Sequence, residues 1–406
     1  MSNKFFDYFF WCLLIVAFIA GPLRYKIHFF AGGSLLLCWF YMVTQVKNIK
    51  DRIILCPLAF VCGWLALCLI KSDFHGMGVL WQSAVVPITA LGYLVFLLQR
   101  GDYVLYRNCL YLSLLIVLPF VIVTLSADMG ASRTLAGNAI TFAQLVEAYE
   151  NRIKGVLDYG AIHSFPFLIM GVYVSCRLQK NIKHKLLLGA FALLLFAVMV
   201  KSVFFAAFVV TCGLLYLSNG DNFKMRFIVF IGAILSIWAL WATGTIVHLL
   251  EFFVNIVFGV DSDSIAVVKV KQIADYYYLG TGFEGRENRY EVAINGFLNN
   301  ILIGGIDEHE DAGHSFVLQI LGDFGLIGFT IYLCYFRSLF KVVSRVLPQK
   351  LRWYYSIMII GFIVLALVKN IGLSIEVFMI FGWAPMFLLL REEDFYIGVA
   401  NARRHL

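Results

Sequence analysis

Long apolar runs, separated mostly by short polar connections, follow one another along the whole chain. A run of about 17–25 apolar residues is long enough to cross a bilayer as a helix. The twelve candidate spans are Phe5–Gly21, Phe29–Val46, Ile53–Ile70, Val79–Leu98, Cys109–Ser126, Ala161–Cys176, Leu186–Val200, Val203–Leu217, Phe227–Val247, Ser315–Tyr335, Trp353–Val368 and Ile375–Leu390. The pattern predicts an all-α polytopic membrane protein with about twelve transmembrane helices.

The composition supports this interpretation. Hydrophobic residues make up 61% of the 406 residues, charged residues make up 14%, and the mean hydropathy is +0.85. Average soluble proteins carry roughly 25% charged residues. The sequence contains no internal repeat, low-complexity tract or Ser/Gly linker. We therefore expect residues 1–406 to form one integral membrane domain.

The basic residues indicate the orientation, because cytoplasmic loops carry an excess of Lys and Arg. If the amino terminus is cytoplasmic, twenty of the 32 Lys and Arg residues lie in or beside cytoplasmic connections. This distribution predicts that both termini are cytoplasmic. The net charge of +7 is then a topology signal, and no nucleic-acid partner is expected.

Two outward-facing connections are much longer than most of the others, residues 127–160 and 249–314. Long loops are usually functional, so both are candidates to carry a site. None of the nine cysteines lies within them, and no exported disulfide framework is predicted. The cysteines are expected to be small core residues.

Arg286 and Arg289 lie three residues apart in the second long loop. If this segment is helical, the two positions share one face. Adjacent guanidiniums bind a diphosphate through charge-assisted hydrogen bonds. The alternative is a pair of surface arginines that form ion pairs with Glu284 and Glu287.

His314 and Ser315 stand where this loop becomes an apolar helix. The dipole at a helix amino terminus favours a neutral imidazole, which suits a general base. A capping histidine without chemistry is the alternative. His309 lies two residues after Asp307, but no His or Cys spacing supports a metal site, and none is predicted.

Ser315, Gln319 and Asp323 recur at steps of four and form one stripe on the tenth span. Gly325 and Gly328 lie on an adjacent face, where glycines let a neighbouring helix pack closely. Intramembrane carboxylates are costly, so Asp323 is expected to be buried and bonded to another helix rather than catalytic.

Two further cations are candidate phosphate contacts. Lys201 separates the seventh and eighth spans, where it is either a snorkelling anchor or a third phosphate contact. Arg133, in the first long loop, either holds an anionic lipid carrier or is solvated.

His314-Ser315 is followed by nine residues and then by Gly325-Leu326-Ile327-Gly328. This segment resembles the signature His-[Asn/Ser/Gln]-x9-Gly-x-x-[Gly/Thr/Tyr] of the O-antigen ligase and Wzy-type polymerase superfamily. The Gly285-Arg286 segment resembles the loop arginine that this family carries upstream of its histidine. Twelve spans with a large loop just before the tenth also fit the family.

The resemblance implies a GT-C-like, inverting glycosyltransferase of the bacterial inner membrane that needs no metal and no cofactor. Its donor and acceptor would be undecaprenyl-pyrophosphate-linked oligosaccharides, its active site would be periplasmic, and a chain-length regulator would be a further partner. Arg286, with Arg289, would bind the leaving pyrophosphate, and His314 would take the proton of the acceptor hydroxyl.

Three activities fit the sequence to different degrees. A polymerase of repeat units is favoured by the two long loops, by the Arg133–Gly137 stretch and by the Gly-His-Ser start. An O-antigen ligase, which moves the glycan to lipid A–core, is the alternative, although Lys201-Ser202 replaces the Ser-Arg or Thr-Arg pair that ligases often have. A lipid-linked oligosaccharide flippase or transporter is the second alternative, but transporters tend to show related halves and broken helices, and no such symmetry is visible.

Overall fold

A computed structural model describes most of the chain. The described residues are 2–19, 28–45, 52–71, 77–128, 131–135, 142–202, 204–219, 225–226, 228–229, 232, 239–240, 242–258, 265–279, 284–305, 315–369 and 375–405. They are almost entirely helical, so the predicted all-α class is confirmed.

The amino-terminal half contains helices α1 (Ser2–Ile19), α2 (His28–Gln45), α3 (Arg52–Lys71), α4 (Met77–Arg100), α5 (Tyr103–Ser126), α6 (Ala131–Thr134), α7 (Phe142–Lys154), α8 (Tyr159–Leu178), α9 (Ile182–Lys201) and α10 (Phe205–Ser218). The second half contains α11 (Thr245–Phe258), α12 (Ile265–Leu279), α13 (Glu284–Asn299), α14 (Phe316–Val346), α15 (Gln349–Val368), α16 (Ile375–Phe378), α17 (Ala384–Leu388) and α18 (Glu392–His405). Both predicted long loops therefore contain helices.

Eleven of the twelve apolar runs coincide with described helical segments, and the ninth, Phe227–Val247, lies only partly within the described residues. By length and composition, five described helices are able to cross a membrane: α5, α8, α9, α14 and α15. On these helices, large apolar side chains such as Leu115, Leu193 and Leu367 are half exposed or more. Outward-facing apolar surface of this kind is expected where lipid covers a helix.

A large apolar core joins the helices of the bundle. Three tryptophans, Trp11, Trp64 and Trp383, are almost completely buried in it. The indole of Trp383 donates to Ser113 Oγ at 2.9 Å, and that of Trp11 donates to the Cys109 carbonyl at 2.6 Å. Bonded polar groups of this kind fix the register of α1 and of the last span against α5.

The last apolar run, Ile375–Leu390, is not one regular α-helix. A π-helical turn at Met379–Trp383 separates α16 from α17. Pro385 is the second residue of α17 and has no N–H group to donate to a carbonyl of the preceding turn. The wide turn lets Gly382 approach α4, where an added Cβ would lie 2.8 Å from Ala90 Cβ.

Both terminal helices reach the same end of the bundle. Lys4 of α1 forms an ion pair with Asp102 at 2.6 Å, beside the turn where Arg403 of α18 approaches Gly101. At this end, buried Asp394 binds Lys350 at 2.8 Å and Arg391 at 2.9 Å. The carboxyl-terminal helix is thereby tied to the start of α15, and the turns between spans on this side carry ion pairs.

Candidate functional site

The predicted arginines lie on a helix that packs along the tenth span. Helix α13, Glu284–Asn299, is named the arginine helix here, and α14, Phe316–Val346, the broken helix. Ala293 of the arginine helix is completely buried and packs against Leu318 of the broken helix. The condition for Arg286 and Arg289 to occupy one helical face is met, because the whole segment is helical.

Arg289 and Ser315 lie at the same level of this helix pair. The two helices run in the same direction. Ala293 packs against Leu318, and further along both segments the Ile301 carbonyl accepts a hydrogen bond from the Leu326 N–H. Arg289 lies one turn before Ala293, and Ser315 lies three residues before Leu318. The end of the arginine helix that carries Arg289 is therefore beside the start of the broken helix, and Arg289 is partly exposed there.

Some predicted residues have no described side chain. His314 lies outside the described residues, next in the chain to Ser315. Arg286 lies within the arginine helix and Arg133 lies within α6, but neither side chain is described. Their roles in catalysis and phosphate binding therefore stay predictions.

Ser315 is the amino-terminal cap of the broken helix. Its Oγ accepts a hydrogen bond from the Leu318 N–H at 3.3 Å and donates to the Ala366 carbonyl of α15 at 3.4 Å. The Phe316 N–H donates to the Lys369 carbonyl at 3.1 Å. Ser315 is completely buried, so this cap fixes the start of the broken helix against the end of α15.

The other two members of the predicted stripe are partly buried. Gln319 lies one turn after Ser315, and its Oε1 is buried without a hydrogen-bond partner among the described residues. The backbone carbonyl of Asp323 accepts a hydrogen bond from Lys71 Nζ of α3, whereas the predicted bond of its carboxylate to another helix stays a prediction.

Gly325 interrupts the tenth span, which the sequence predicted to be a continuous helix. Its backbone has φ 60° and ψ −160°, a conformation that side chains with a Cβ rarely adopt. The prediction that Gly325 serves close helix packing is thus incomplete, because its main effect is to break the helix. Gly328 does serve packing, since an added Cβ would lie 3.1 Å from Leu67 Cδ2 of α3.

The turn that follows the arginine helix fills this break. The N–H groups of Leu326 and Ile327 donate to the carbonyls of Ile301 and Leu302 at 2.9 and 3.0 Å. In return the Gly305 N–H donates to the Gly322 carbonyl at 3.0 Å. These three hydrogen bonds are named the backbone lock. Peptide groups freed by a break need such partners wherever water is excluded.

A second glycine makes the backbone lock sterically possible. Gly304 has φ 74°, and an added Cβ would lie 2.6 Å from the Asp323 carbonyl oxygen. An added Cβ at Gly325 would likewise lie 2.6 Å from the Gly304 N. Two backbones therefore cross without side chains between them, and the arginine helix is attached rigidly to the broken helix.

Lys71 was not predicted from the sequence. Its Nζ lies 5.2 Å from the centre of the Phe324 ring and donates to the Asp323 carbonyl, 252 residues away in the chain. A lysine that ends an apolar run has the same pattern as an ordinary snorkelling anchor. No local signal distinguishes the two, so this contact requires the fold.

Lys201 ends α9 and donates to the Leu125 carbonyl in the last turn of α5. Lysines near helix carboxyl termini commonly bind such unpaired carbonyls. This contact supports the anchoring interpretation of Lys201, and its proposed phosphate contact stays a prediction. Ser202 beside it is buried and bonds Ser132 at 3.4 Å, which ties the first long loop to the end of α9.

An apolar cavity of about 340 Å³ lies between the broken helix and α15. It begins beside Phe316, next to the Ser315 cap, and continues along the broken helix as far as Phe340. Aromatic rings form much of its wall, with Tyr332, Phe336 and Phe362 among them. A cavity of this size and polarity is typical of a site for an apolar ligand.

The arrangement places a helix with two arginines, a buried cap and an apolar cavity around the start of one helix. Among the described residues, no group of three His, Cys, Asp or Glu side chains is placed to hold a metal ion. A scan against protein-family models and a search of curated proteins both give no match. The likeness to the O-antigen ligase and polymerase superfamily therefore rests on the sequence motif.

Proposed function

We propose that this chain is an inner-membrane glycosyltransferase that polymerises oligosaccharide repeat units carried on undecaprenyl pyrophosphate. The observation that carries the proposal is the packing of the arginine helix beside the Ser315 end of the broken helix. Arg286 and Arg289 belong to the arginine helix, and His314 directly precedes the Ser315 cap of the broken helix in the sequence. We place this end at the periplasmic face of a twelve-span, GT-C-like bundle, with both termini cytoplasmic.

In the proposed reaction, Arg286 and Arg289 bind the pyrophosphate of the donor. Guanidinium forks match phosphate oxygens and stabilise the negative charge that develops on the leaving group. His314 takes the proton of the acceptor sugar hydroxyl while its oxygen attacks the anomeric carbon. The new glycosidic bond forms as the bond to pyrophosphate breaks, so the configuration inverts, and no metal or cofactor takes part.

The apolar cavity supports a lipid-linked substrate. It begins next to Ser315, so a polyprenyl tail that lies in it would hold the attached pyrophosphate at the start of the broken helix. Burial of apolar chain contributes about 0.8 kcal/mol per CH₂ group, which favours a long tail over a soluble sugar.

The break at Gly325 is a feature that transporters also use, where freed backbone groups line a substrate path. Here those groups are occupied: the backbone lock takes two N–H groups and one carbonyl, and Lys71 takes the Asp323 carbonyl. This favours a rigid catalytic support over a flippase.

The test is the surface glycan of a strain that lacks this gene and carries His314→Ala or Arg286→Ala. We expect loss of polymer with both variants at normal protein abundance. Normal glycan from both would reject the mechanism. In the null strain a single repeat on the lipopolysaccharide core indicates a polymerase, whereas long chains left on the undecaprenyl carrier would indicate the ligase and reject polymerisation.

A further inference from the structure

We propose that Lys71 is a positioning residue that holds the broken helix open so that the turn after the arginine helix can dock in it. The inference deepens the proposed function, because the backbone lock sets where the arginine helix lies relative to Ser315. Lys71 lies on α3, and it does not belong to the motif that suggested the activity.

The break at Gly325 releases backbone carbonyls from the hydrogen bonds of a regular helix. The backbone lock binds the Gly322 carbonyl through the Gly305 N–H, whereas the Asp323 carbonyl binds Lys71 Nζ. A charged donor forms a stronger hydrogen bond to such a carbonyl than a neutral one does. Lys71 thus completes the set of partners that stabilises the break.

Its ammonium is also held by the Phe324 ring, 5.2 Å from the ring centre. Phe324 is buried and packs against Trp64 of α3, with ring centres 4.4 Å apart. The cation–π contact and the packing of Trp64 fix the end of α3 on the residues next to Gly325. Loss of the ammonium leaves the Asp323 carbonyl without its charged donor and lets the broken helix shift.

Lys71 affects the position of the arginine helix through the backbone lock. The backbone lock joins Ile301, Leu302 and Gly305 to the broken helix, and the arginine helix ends at Asn299, directly before this turn. A shift of about 1 Å at a site can reduce turnover by about 10²-fold. Lys71 therefore affects turnover through the position of the arginines and not through contact with the reacting atoms.

The test compares Lys71→Met, which keeps the aliphatic length but has no donor, with Lys71→Arg, which keeps the charge and the donor. Amide hydrogen exchange is measured on the purified full-length protein in detergent. We expect the amides of Leu326 and Ile327 to exchange about tenfold faster or more in Lys71→Met and to regain wild-type protection in Lys71→Arg. Lys201→Met is the matched control, because it removes another lysine from a backbone carbonyl and should leave these two amides unchanged.

Exchange in wild-type protein tests the proposal even if Lys71→Met does not fold. The Leu326 and Ile327 amides should be as protected as those of the continuous part of the broken helix, and rapid exchange there would overturn the backbone lock. Unchanged protection in a folded Lys71→Met variant would overturn the role of Lys71. Neither result depends on glycan chemistry. A failure of the proposed role of Lys71 can therefore be distinguished from a failure of the proposed glycosyltransferase activity.

Where transfer is measurable, Lys71→Met should lower kcat by up to about 10²-fold and leave the KM of the lipid-linked donor nearly constant. Lys71→Arg should restore kcat. A raised KM with constant kcat would show that Lys71 binds substrate, and it would reject the positioning role.

Discussion

Gly325 and Gly304 determine the geometry of the candidate site although neither has a side chain. Each has a positive φ, and each lies where a Cβ would meet the other backbone at about 2.6 Å. Glycine is the residue that adopts such angles without a steric penalty. The interruption of the tenth span therefore depends on two positions 21 residues apart in the sequence, of which only one belongs to the motif.

Gly325→Ala should destabilise the protein by about 2 kcal/mol or more, because it combines a strained backbone angle with overpacking against Leu302. The measurement is the melting temperature of purified protein in detergent. Gly33→Ala is the matched control, since nothing lies within 4 Å of a Cβ added at Gly33 in α2. Equal melting temperatures for Gly325→Ala and wild type would show that the break is not needed for stability.

Among the helices, the apolar runs predicted which segments are helical because each run is uniform in hydropathy over a membrane thickness. The arginine helix was predicted conditionally, from the spacing of Arg286 and Arg289. The break at Gly325 was not predicted, since Gly-x-x-Gly spacing has the same appearance whether the glycines pack another helix or interrupt their own. Lys71 was missed because its carbonyl partner lies 252 residues away.

The Asp102 cap at the start of α5 makes a pH-dependent contribution to the stability of the folded state. Asp102 caps α5 by accepting from the Leu105 N–H at 3.0 Å, and Lys4 lies 2.6 Å from its other oxygen. The hydrogen bond from Lys4, together with that from Leu105, lowers the pKa of Asp102 below its usual range. The folded state therefore prefers the ionised carboxylate.

Asp102→Asn should keep the cap and lose the charge, since Asn caps helices about as well as Asp. Because the folded pKa is depressed, the stability advantage of wild type is fully present above the unfolded pKa of about 3.9. It should diminish as the pH falls below that value and through the folded pKa. Thermal unfolding between pH 3 and pH 7 measures the difference. A difference in stability between wild type and Asp102→Asn that stays constant from pH 3 to pH 7 would contradict this explanation.

For the chain as a whole, the cavity between the broken helix and α15 is the proposed site of the lipid tail. Ile363 and Ile360 lie one turn apart on α15 and are exposed to about the same degree, 51% and 46%. Ile363 lines the cavity, whereas Ile360 is not among its lining residues. Their similar exposure makes them a matched pair for testing what the cavity binds.

Ile363→Trp should raise the KM for an undecaprenyl-linked donor about tenfold, because the indole occupies space where several CH₂ groups of the tail would be buried. Ile360→Trp should leave that KM unchanged. A donor with a short prenyl tail should respond weakly to either change. The same effect from both substitutions would show that the cavity does not hold the tail.

Reconstitution in vesicles with a purified undecaprenyl-pyrophosphate-linked repeat unit is the decisive test of the proposed activity. The measurement is release of undecaprenyl pyrophosphate together with the length of the glycan product. We predict one carrier released for each linkage formed by wild type, and at least about 10²-fold slower release with His314→Ala and with Arg286→Ala. Equal release by all three proteins, or no elongation by wild type, would contradict the proposal.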